Sequence, residues 1–265
     1  MRILSIASGS SGNCIYAGTD DTNILIDAGI SNKKIEEGLR EAGISGSNID
    51  AVCITHEHSD HIKGIGVLAR KYNLPIYGTK ATLEAVQSDI STGSVPRELF
   101  HVIHPDDEFR VGSVTLHPFH IYHDAADPVG YRVTDGKSAF AVATDLGHYD
   151  DYIISNLENL NAIILEANHD IHMLEAGSYP YRLKRRILSD SGHLSNENCG
   201  RLICRILNDD LKYILLGHLS KENNYPDLAF EAVRCEIAQD ECPYSPDELQ
   251  IIVAKRDTPS ELYII

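Results

Sequence analysis

The sequence predicts an α/β protein in which two stacked sheets lie inside helices. Strand and helix patterns alternate as far as residue 90, strand patterns follow one another from residue 99 to residue 144, and alternation then returns. A long run of strands does not suit a parallel sheet with a helix after each strand, so the order favours two packed sheets. No repeat or linker-like stretch divides the chain, and we expect one domain over residues 1–265.

The individual elements follow from apolar runs and from the residues that end them. Ser31 is a predicted helix cap and Gly43 a stop, whereas Asp135-Gly136 predicts a hairpin turn. Residues 91–98 hold Gly, Pro and polar side chains and are expected to form a loop. The predicted helices are 31–42, 63–72 and 80–90. The predicted strands are 2–7, 14–17, 23–26, 51–55, 74–77, 99–103, 108–111, 114–121, 130–133 and 138–144.

Composition is that of an ordinary globular protein, with 43% apolar and 23% charged residues. No apolar run approaches the roughly 18 to 20 residues that span a bilayer, so no membrane segment is expected. The first residues enter a strand pattern without the layout of a signal peptide, which predicts a cytoplasmic protein. None of the six cysteines forms a C-x-x-C pair, so a zinc knuckle is not expected. A disulfide between Cys235 and Cys242 stays open, although a cytosolic chain disfavours it.

Charge is distributed unevenly along the chain. The formal net charge of −16 argues against non-specific binding to nucleic acid. Between residues 179 and 205, however, only Asp190 and Glu197 oppose a group of basic residues, namely Arg182, Lys184, Arg185, Arg186, Arg201 and Arg205. The sequence therefore allows a local positive surface on an acidic protein.

A dense group of possible metal ligands follows the apolar run at 51–54. His56, His58, Asp60 and His61 lie within six residues. In an extended segment His56 and His58 point the same way, because they are two residues apart. Neutral imidazole and carboxylate groups suit zinc and similar divalent ions. The alternative is a polar turn with surface histidines, but H-x-H-x-D-H after a buried strand favours a metal site.

The stretch His56-Glu-His58-Ser-Asp60-His61 resembles the signature of the metallo-β-lactamase-fold hydrolases. This resemblance implies a four-layer αββα sandwich and a site for two divalent metal ions per chain, with zinc, manganese and iron all compatible. It also implies that Asp27, at the end of a predicted strand, orients a ligand histidine.

The same resemblance implies the remaining ligands. His123 matches the third motif of the family best, with His120 as the fallback, while Asp145 and His218 follow apolar runs where the family has its last two ligands. The implied set is His56, His58 and His123 on one ion, and Asp60, His61 and His218 on the other, with Asp145 bridging both.

A two-metal site can hold a bridging hydroxide that attacks a phosphodiester, an ester, a thioester or an amide. Glu166 ends an apolar run, and His193 precedes a predicted helix capped by Ser195. The two resemble the proton-donating pair of ribonuclease Z-type and β-CASP nucleases. The resemblance implies that Glu166 orients His193 and that His193 protonates the departing 3′ oxygen. Asp60 is predicted to be catalytic as well as a ligand.

Several longer stretches are similar to the YycJ (WalJ) group of exonucleases, namely 7–13, 55–64, 165–170, 181–190 and 216–220. The resemblance implies a metal-dependent phosphodiesterase acting as a 5′→3′ DNA exonuclease, and the sequence leaves RNA ends open as the alternative substrate. A predicted loop is expected to bind the phosphates and bases, through Tyr181, Arg182, Lys184, Arg185 and Arg186. One alternative is a small-molecule (thio)ester or lactone hydrolase that would not need Glu166 and His193. The other is a non-catalytic metal-binding regulator.

Overall fold

The computed structural model describes residues 1–239 and 242–265, and these ranges contain fourteen strands and nine α-helices. The strands are β1 (Arg2–Ala7), β2 (Cys14–Gly18), β3 (Asn23–Ile26), β4 (Ala51–Cys53), β5 (Ile76–Thr79), β6 (Phe100–Ile103), β7 (Phe109–Val111), β8 (Val114–His120), β9 (Val129–Thr134), β10 (Ala139–Ala143), β11 (Ala162–Glu166), β12 (Tyr213–Gly217), β13 (Ile251–Val253) and β14 (Tyr263–Ile264). The helices are α1 (Asn32–Glu41), α2 (Ser59–Ile62), α3 (Ile65–Tyr72), α4 (Lys80–Ser88), α5 (Asp151–Leu157), α6 (Ile171–Ala176), α7 (Tyr181–Ile187), α8 (Asn196–Ile206) and α9 (Pro226–Ile237).

Contacts between residues divide the chain into two units. The first unit holds Met1–His120, Ala125–Ser138 and Lys255–Ile265. The second unit holds Ile121–Asp124 and Ala139–Ala254. The single domain over residues 1–265 stays a prediction.

The first unit contains a seven-stranded sheet with the order β14-β1-β2-β3-β4-β5-β6. The strands from β14 to β3 pair antiparallel, and those from β3 to β6 pair parallel. Strands β7, β8 and β9 of the same unit pair antiparallel in that order. Because β3 and β4 run in the same direction, the residues that follow them emerge at the same edge of the sheet. Asp27 follows β3, and His56 lies three residues beyond β4.

The core of the first unit explains why these segments fold as they do. Helix α1 begins after Ser31, whose side chain accepts a hydrogen bond from the backbone of Lys34, as predicted. Full burial of a branched aliphatic side chain stabilises a fold by about 1.5–3 kcal/mol. Helices α1 and α3 contribute such side chains to a cluster with the sheet, which includes Leu4, Ile6, Leu25, Val52, Ile54, Ile35, Leu39, Ile65 and Leu68.

The second unit contains the parallel strands β10, β11, β12 and β13, each paired with the next. Every residue of β10 and β11 is buried, which accounts for their uninterrupted apolar sequences. The carboxyl ends of parallel strands meet at one edge. Glu166 is the last residue of β11, His218 directly follows β12, and Asp145 lies two residues beyond β10. The topology of this unit therefore gathers these three side chains.

The predicted loop around residues 179–186 was wrong, because Tyr181–Ile187 forms helix α7. The helix has no side-chain cap, and Pro180 stands at the N-cap position. Helix α6 was also missed, since six residues are too few to show a helical period. All six cysteines are free, so the disulfide that the sequence left open is not formed.

Among the described residues, no helix combines the length and the apolar character that crossing a membrane requires.

Candidate metal-binding and catalytic residues

The predicted histidine motif forms a cluster in the first unit. The chain leaves β4, passes through Thr55 and His56, and enters α2 after His58, which occupies the N-cap position. The ring centroid of His56 lies 4.1 Å from that of His61 and 4.6 Å from that of His58. His56 and His61 are buried. The histidines of a polar surface turn would not be buried, so the burial of these rings favours a metal site over such a turn.

Asp27 contacts His61 in the same unit. Its Oδ2 accepts hydrogen bonds from Nδ1 of His61 at 2.7 Å and from Oγ1 of Thr55 at 2.8 Å, and its Oδ1 accepts one from the backbone of Thr55. Asp27 has a left-handed backbone, with φ +61°. A carboxylate on Nδ1 fixes the tautomer of a histidine and leaves Nε2 as the ligand atom. The contact is the one expected of an orienting residue, while its role stays a prediction.

Asn13 is a site residue that sequence reasoning missed. Its Nδ2 lies 3.1 Å from Nε2 of His61, and its backbone N–H donates to the carbonyl of Asp60. Gly29 approaches the same carbonyl so closely that an added Cβ would lie 1.6 Å from it. The turn at residues 8–13 therefore packs against the start of α2, and nothing in its Ser/Gly composition indicated this partner.

Asp145 is the centre of a cluster in the second unit. Its Oδ1 lies 3.6 Å from Nε2 of His123, 3.5 Å from Nε2 of His218 and 3.6 Å from Nδ1 of His193. Asp145 and His218 both have left-handed backbones, with φ +59° and +54°. Asp145, Glu166, His193 and His218 each offer one possible ligand atom, and these atoms lie within 4.8 Å of one another.

The orientation of the imidazoles in this unit fits a divalent metal ion. Nδ1 of His123 donates to the carbonyl of Gly192 at 3.1 Å, and Nδ1 of His218 donates to Oε1 of Glu166 at 2.8 Å. Both rings are thereby held with Nε2 towards Asp145. Neutral imidazoles with an anchored second nitrogen, together with a carboxylate, are the donors of zinc and related ions. The residues present therefore fit the implied metal, whose identity this donor set leaves open.

Glu166 is fully buried and makes four polar contacts. Oε2 accepts hydrogen bonds from the backbone of Leu146 and Leu194, and Oε1 contacts Nδ1 of both His193 and His218. Burial alone would raise the pKa of Glu166, but the charges and hydrogen bonds of the two histidines outweigh burial and hold this pKa below its ordinary value. The surroundings of Glu166 therefore favour its ionised form.

His193 lies beside this carboxylate and is accessible from solvent. Its Nδ1 donates to Oε1 of Glu166 at 2.9 Å, and its side chain is 15% exposed. Burial lowers the pKa of His193, but the charge and hydrogen bond of Glu166 raise it above its ordinary value. The predicted contact between Glu166 and His193 is present in the structure, whereas the second contact of Glu166, to His218, was not predicted.

Asn168 is a second residue that the sequence did not indicate. Its Nδ2 donates to the backbone carbonyl of His218 at 2.9 Å, and the backbone N–H of Ser220 donates to the carbonyl of Asn168. These bonds hold the turn in which His218 adopts its left-handed conformation. Asn168 lies within residues 165–170, and the similarity of this stretch to the exonuclease group was the signal available from the sequence.

The predicted site residues fall into one cluster in each unit. The first unit contains Asp27, His56, His58, Asp60 and His61. The second unit contains His123, Asp145, Glu166, His193 and His218, together with helix α7, which carries Tyr181, Arg182, Lys184, Arg185 and Arg186. His120, the fallback ligand, is exposed in the first unit and its Nδ1 lies 3.5 Å from a carboxylate oxygen of Asp127.

Comparison with known proteins identifies the class to which these clusters belong. The family model described as the beta-lactamase superfamily domain matches residues 22–212, and the chain belongs to this superfamily. The metallo-β-lactamase protein YhfI from Bacillus subtilis has the same fold, with a TM-score of 0.72, 21% identity, and coverage of 98% of this chain and 99% of that one. The predicted metallo-β-lactamase fold, with two sheets and helices, is confirmed.

Two relatives share much more of the sequence. The exodeoxyribonuclease WalJ from Streptococcus pneumoniae D39 is 42% identical over 234 residues, which cover 88% of this chain and 87% of the relative. The exodeoxyribonuclease YycJ from Bacillus anthracis is 40% identical over 224 residues, covering 84% of each. Ribonucleases Z match over shorter parts of the chain. The predicted resemblance to the YycJ (WalJ) group is confirmed.

Proposed function

We propose that the protein is a metal-dependent DNA exonuclease that hydrolyses phosphodiester bonds in the 5′→3′ direction. The observation that carries this proposal is the contact of 2.9 Å between Glu166 and His193 within the Asp145 cluster. An ester or thioester hydrolase with the same metals would not need such a pair. Relatives named exodeoxyribonuclease, at 40–42% identity, support the assignment of DNA.

We propose that both clusters supply ligands to divalent metal ions, two per chain. Imidazole and carboxylate donors are present in each unit, and the Nδ1 atoms of His61, His123 and His218 are anchored so that Nε2 remains the ligand atom. The proposed ligands are His56, His58, Asp60, His61, His123, Asp145 and His218. Divalent ions held in this way polarise phosphoryl oxygens and lower the pKa of a bound water.

The residues of the chain then supply the proton for the leaving group. Glu166 holds Nδ1 of His193, so that the proton on Nε2 of His193 is available to the departing 3′ oxygen. Because Glu166 is itself held by two backbone N–H groups, the imidazole has a fixed direction. The same carboxylate fixes His218, so one residue positions both a proposed ligand and the proposed acid.

Digestion of end-labelled DNA and RNA, single- and double-stranded, with zinc, manganese or iron tests the proposal. We expect mononucleotides to be released from the 5′ end of DNA, and expect this activity to fall in His193→Ala. Turnover of thioesters or lactones without attack on any nucleic acid would instead support the small-molecule hydrolase. Metal-loaded protein that is inert towards all of these substrates would support a binding role. The cytoplasmic location stays a prediction.

A further inference from the structure

Asn196 and Asn224 are buried side-chain amides of the second unit. Asn196 is the first residue of α8, and Asn224 lies between β12 and α9. Asn196 is fully buried, and Asn224 is 6% exposed. A buried amide destabilises a fold unless its donors and its acceptor are hydrogen-bonded. The partners of the two amides therefore show which segments they hold together.

The two amides bind each other. Nδ2 of Asn196 donates to Oδ1 of Asn224 at 3.1 Å, and Nδ2 of Asn224 donates to Oδ1 of Asn196 at 2.8 Å. A reciprocal pair of this kind uses the oxygen and the nitrogen of each side chain, so each amide fixes the orientation of the other. The pair joins the start of α8 to the segment that follows β12.

Asn224 also contacts the segment that follows β11. Its Nδ2 lies 3.0 Å from the carbonyl oxygen of Ala167 and 3.1 Å from that of Asn168. These two residues directly follow Glu166. Asn168 in turn donates to the backbone carbonyl of His218. Asn224 is therefore connected through the backbone to the segments of a carboxylate and an imidazole of the proposed site.

Backbone hydrogen bonds hold the start of α8 to the same segment. The N–H of Asn168 donates to the carbonyl of Leu194, and the N–H of Asn196 donates to the carbonyl of His169, each at 2.9 Å. Leu194 directly follows His193. The network thereby joins three segments, and each of them carries a side chain of the proposed site.

We propose that Asn196 and Asn224 are positioning residues, which set the spacing of Glu166, His193 and His218 through the backbone that carries them. Oε1 of Glu166 contacts both imidazoles at 2.8 and 2.9 Å, so a shift of any one segment lengthens at least one of these contacts. Such constellations must be held to within about 0.5 Å of their productive geometry. This inference rests on the proposed function and concerns how its site is assembled.

The affinity for zinc of two variants that keep the size of the side chain tests the inference. In Asn224→Asp an oxygen replaces Nδ2 and faces three accepting oxygens, whereas Asn196→Asp loses one donor and keeps the oxygen that binds Asn224. We expect zinc affinity, measured against graded chelator, to fall about 10-fold in Asn224→Asp, the lower end of the effect of losing a residue that orients a ligand histidine. The fall should be smaller in Asn196→Asp, and this milder variant decides the question if Asn224→Asp does not fold.

The matched control is a second amide that joins the same strands at their opposite end. Asn161 directly precedes β11, and its Oδ1 accepts from the N–H of Ala139 while its Nδ2 donates to the carbonyl of Asp210. Asn161→Asp loses one donor and keeps the acceptor, as Asn196→Asp does. It should lower the free energy of unfolding in urea and leave zinc affinity unchanged. Equal losses of zinc affinity in Asn161→Asp and Asn196→Asp would show a merely structural role and overturn the proposal.

The position of His193 has a readout of its own. In Asn196→Asp, hydrolysis of DNA should fall more than hydrolysis of a p-nitrophenyl phosphodiester, whose leaving group needs little protonation. Equal losses on both substrates, or wild-type zinc affinity in the variants of Asn196 and Asn224, would overturn the positioning role. Zinc affinity is measured without substrate, so a wild-type protein that binds zinc and degrades no nucleic acid would count against the proposed function and not against this pair.

Discussion

Oε1 of Glu166 lies 2.8 Å from Nδ1 of His218, and the same oxygen lies 2.9 Å from Nδ1 of His193. One buried carboxylate therefore connects a proposed metal ligand with the proposed acid. Removing its charge should affect metal binding as well as proton transfer. Metal binding and proton transfer can be measured separately.

Glu166→Gln is expected to lower the affinity for metal about 10- to 100-fold, the usual effect of losing a residue that orients a ligand histidine. Metal content after dialysis against graded chelator, measured by atomic emission, is the readout. Glu175→Gln, which removes an exposed carboxylate from α6, is the control and should keep its metal. Wild-type metal affinity in Glu166→Gln would show that His218 does not depend on this carboxylate.

His193→Ala is expected to retain its metal and to lose about 100- to 10,000-fold in DNA hydrolysis, the range typical of a missing general acid. A p-nitrophenyl phosphodiester has a leaving group that needs little protonation, so its hydrolysis should fall much less. The ratio of the two losses is the measurement. Equal losses on both substrates would argue that His193 binds or positions instead of donating a proton.

Asp27→Asn is expected to weaken binding of the metal ion that His61 is proposed to ligate. Both carboxylate oxygens of Asp27 accept hydrogen bonds from Thr55 or His61, whereas asparagine offers one accepting oxygen and one NH2 group that only donates. The tautomer of the His61 ring is then no longer fixed. Titration with a chromophoric chelator should show one class of metal weakened about 10- to 100-fold and another unchanged. Asp20→Asn, at an exposed turn, serves as the control. Weakening of all bound metal to the same extent would contradict the local role of Asp27.

Gly192→Ala is expected to lower the free energy of unfolding by about 1–3 kcal/mol, as overpacking does. The added Cβ would lie 2.3 Å from the oxygen of Arg186 and 2.2 Å from that of Ile187, and backbone atoms cannot move aside cheaply. Urea unfolding followed by circular dichroism provides the measurement. Ser191→Ala, next to it and exposed, should change stability little. A fully stable Gly192→Ala would mean that the turn after α7 can open.

Features that depend on a short stretch of residues, such as buried strands and helix caps, could be predicted from the sequence. The apolar runs of β10, β11 and β12 could be located because these strands are buried on both faces, and the side chains that follow them could then be placed at one edge. The cap at Ser31 was likewise a local signal. Strand ends shifted by one or two residues, as for β5, because backbone pairing and not side-chain type decides where a strand stops.

Contacts between distant residues could not be predicted in this way. Asn13 and His61 are 48 residues apart, and Glu166 and His218 are 52 apart. Helix α7 was missed for a different reason. Lys184 and Arg186 bind partners on other segments, and such tertiary contacts leave no local pattern in the sequence.

The left-handed backbones of Asp27, Asp145 and His218 also bear on how this protein could be engineered. A residue other than glycine in this conformation costs roughly 1 kcal/mol or more. The usual remedy is glycine or asparagine, which relaxes the chain. At these three places the remedy would delete a carboxylate or an imidazole of the proposed chemistry. Stabilising substitutions that are chosen from backbone conformation alone would therefore remove residues of the proposed site. These three positions should be left unchanged when the protein is engineered for thermal stability.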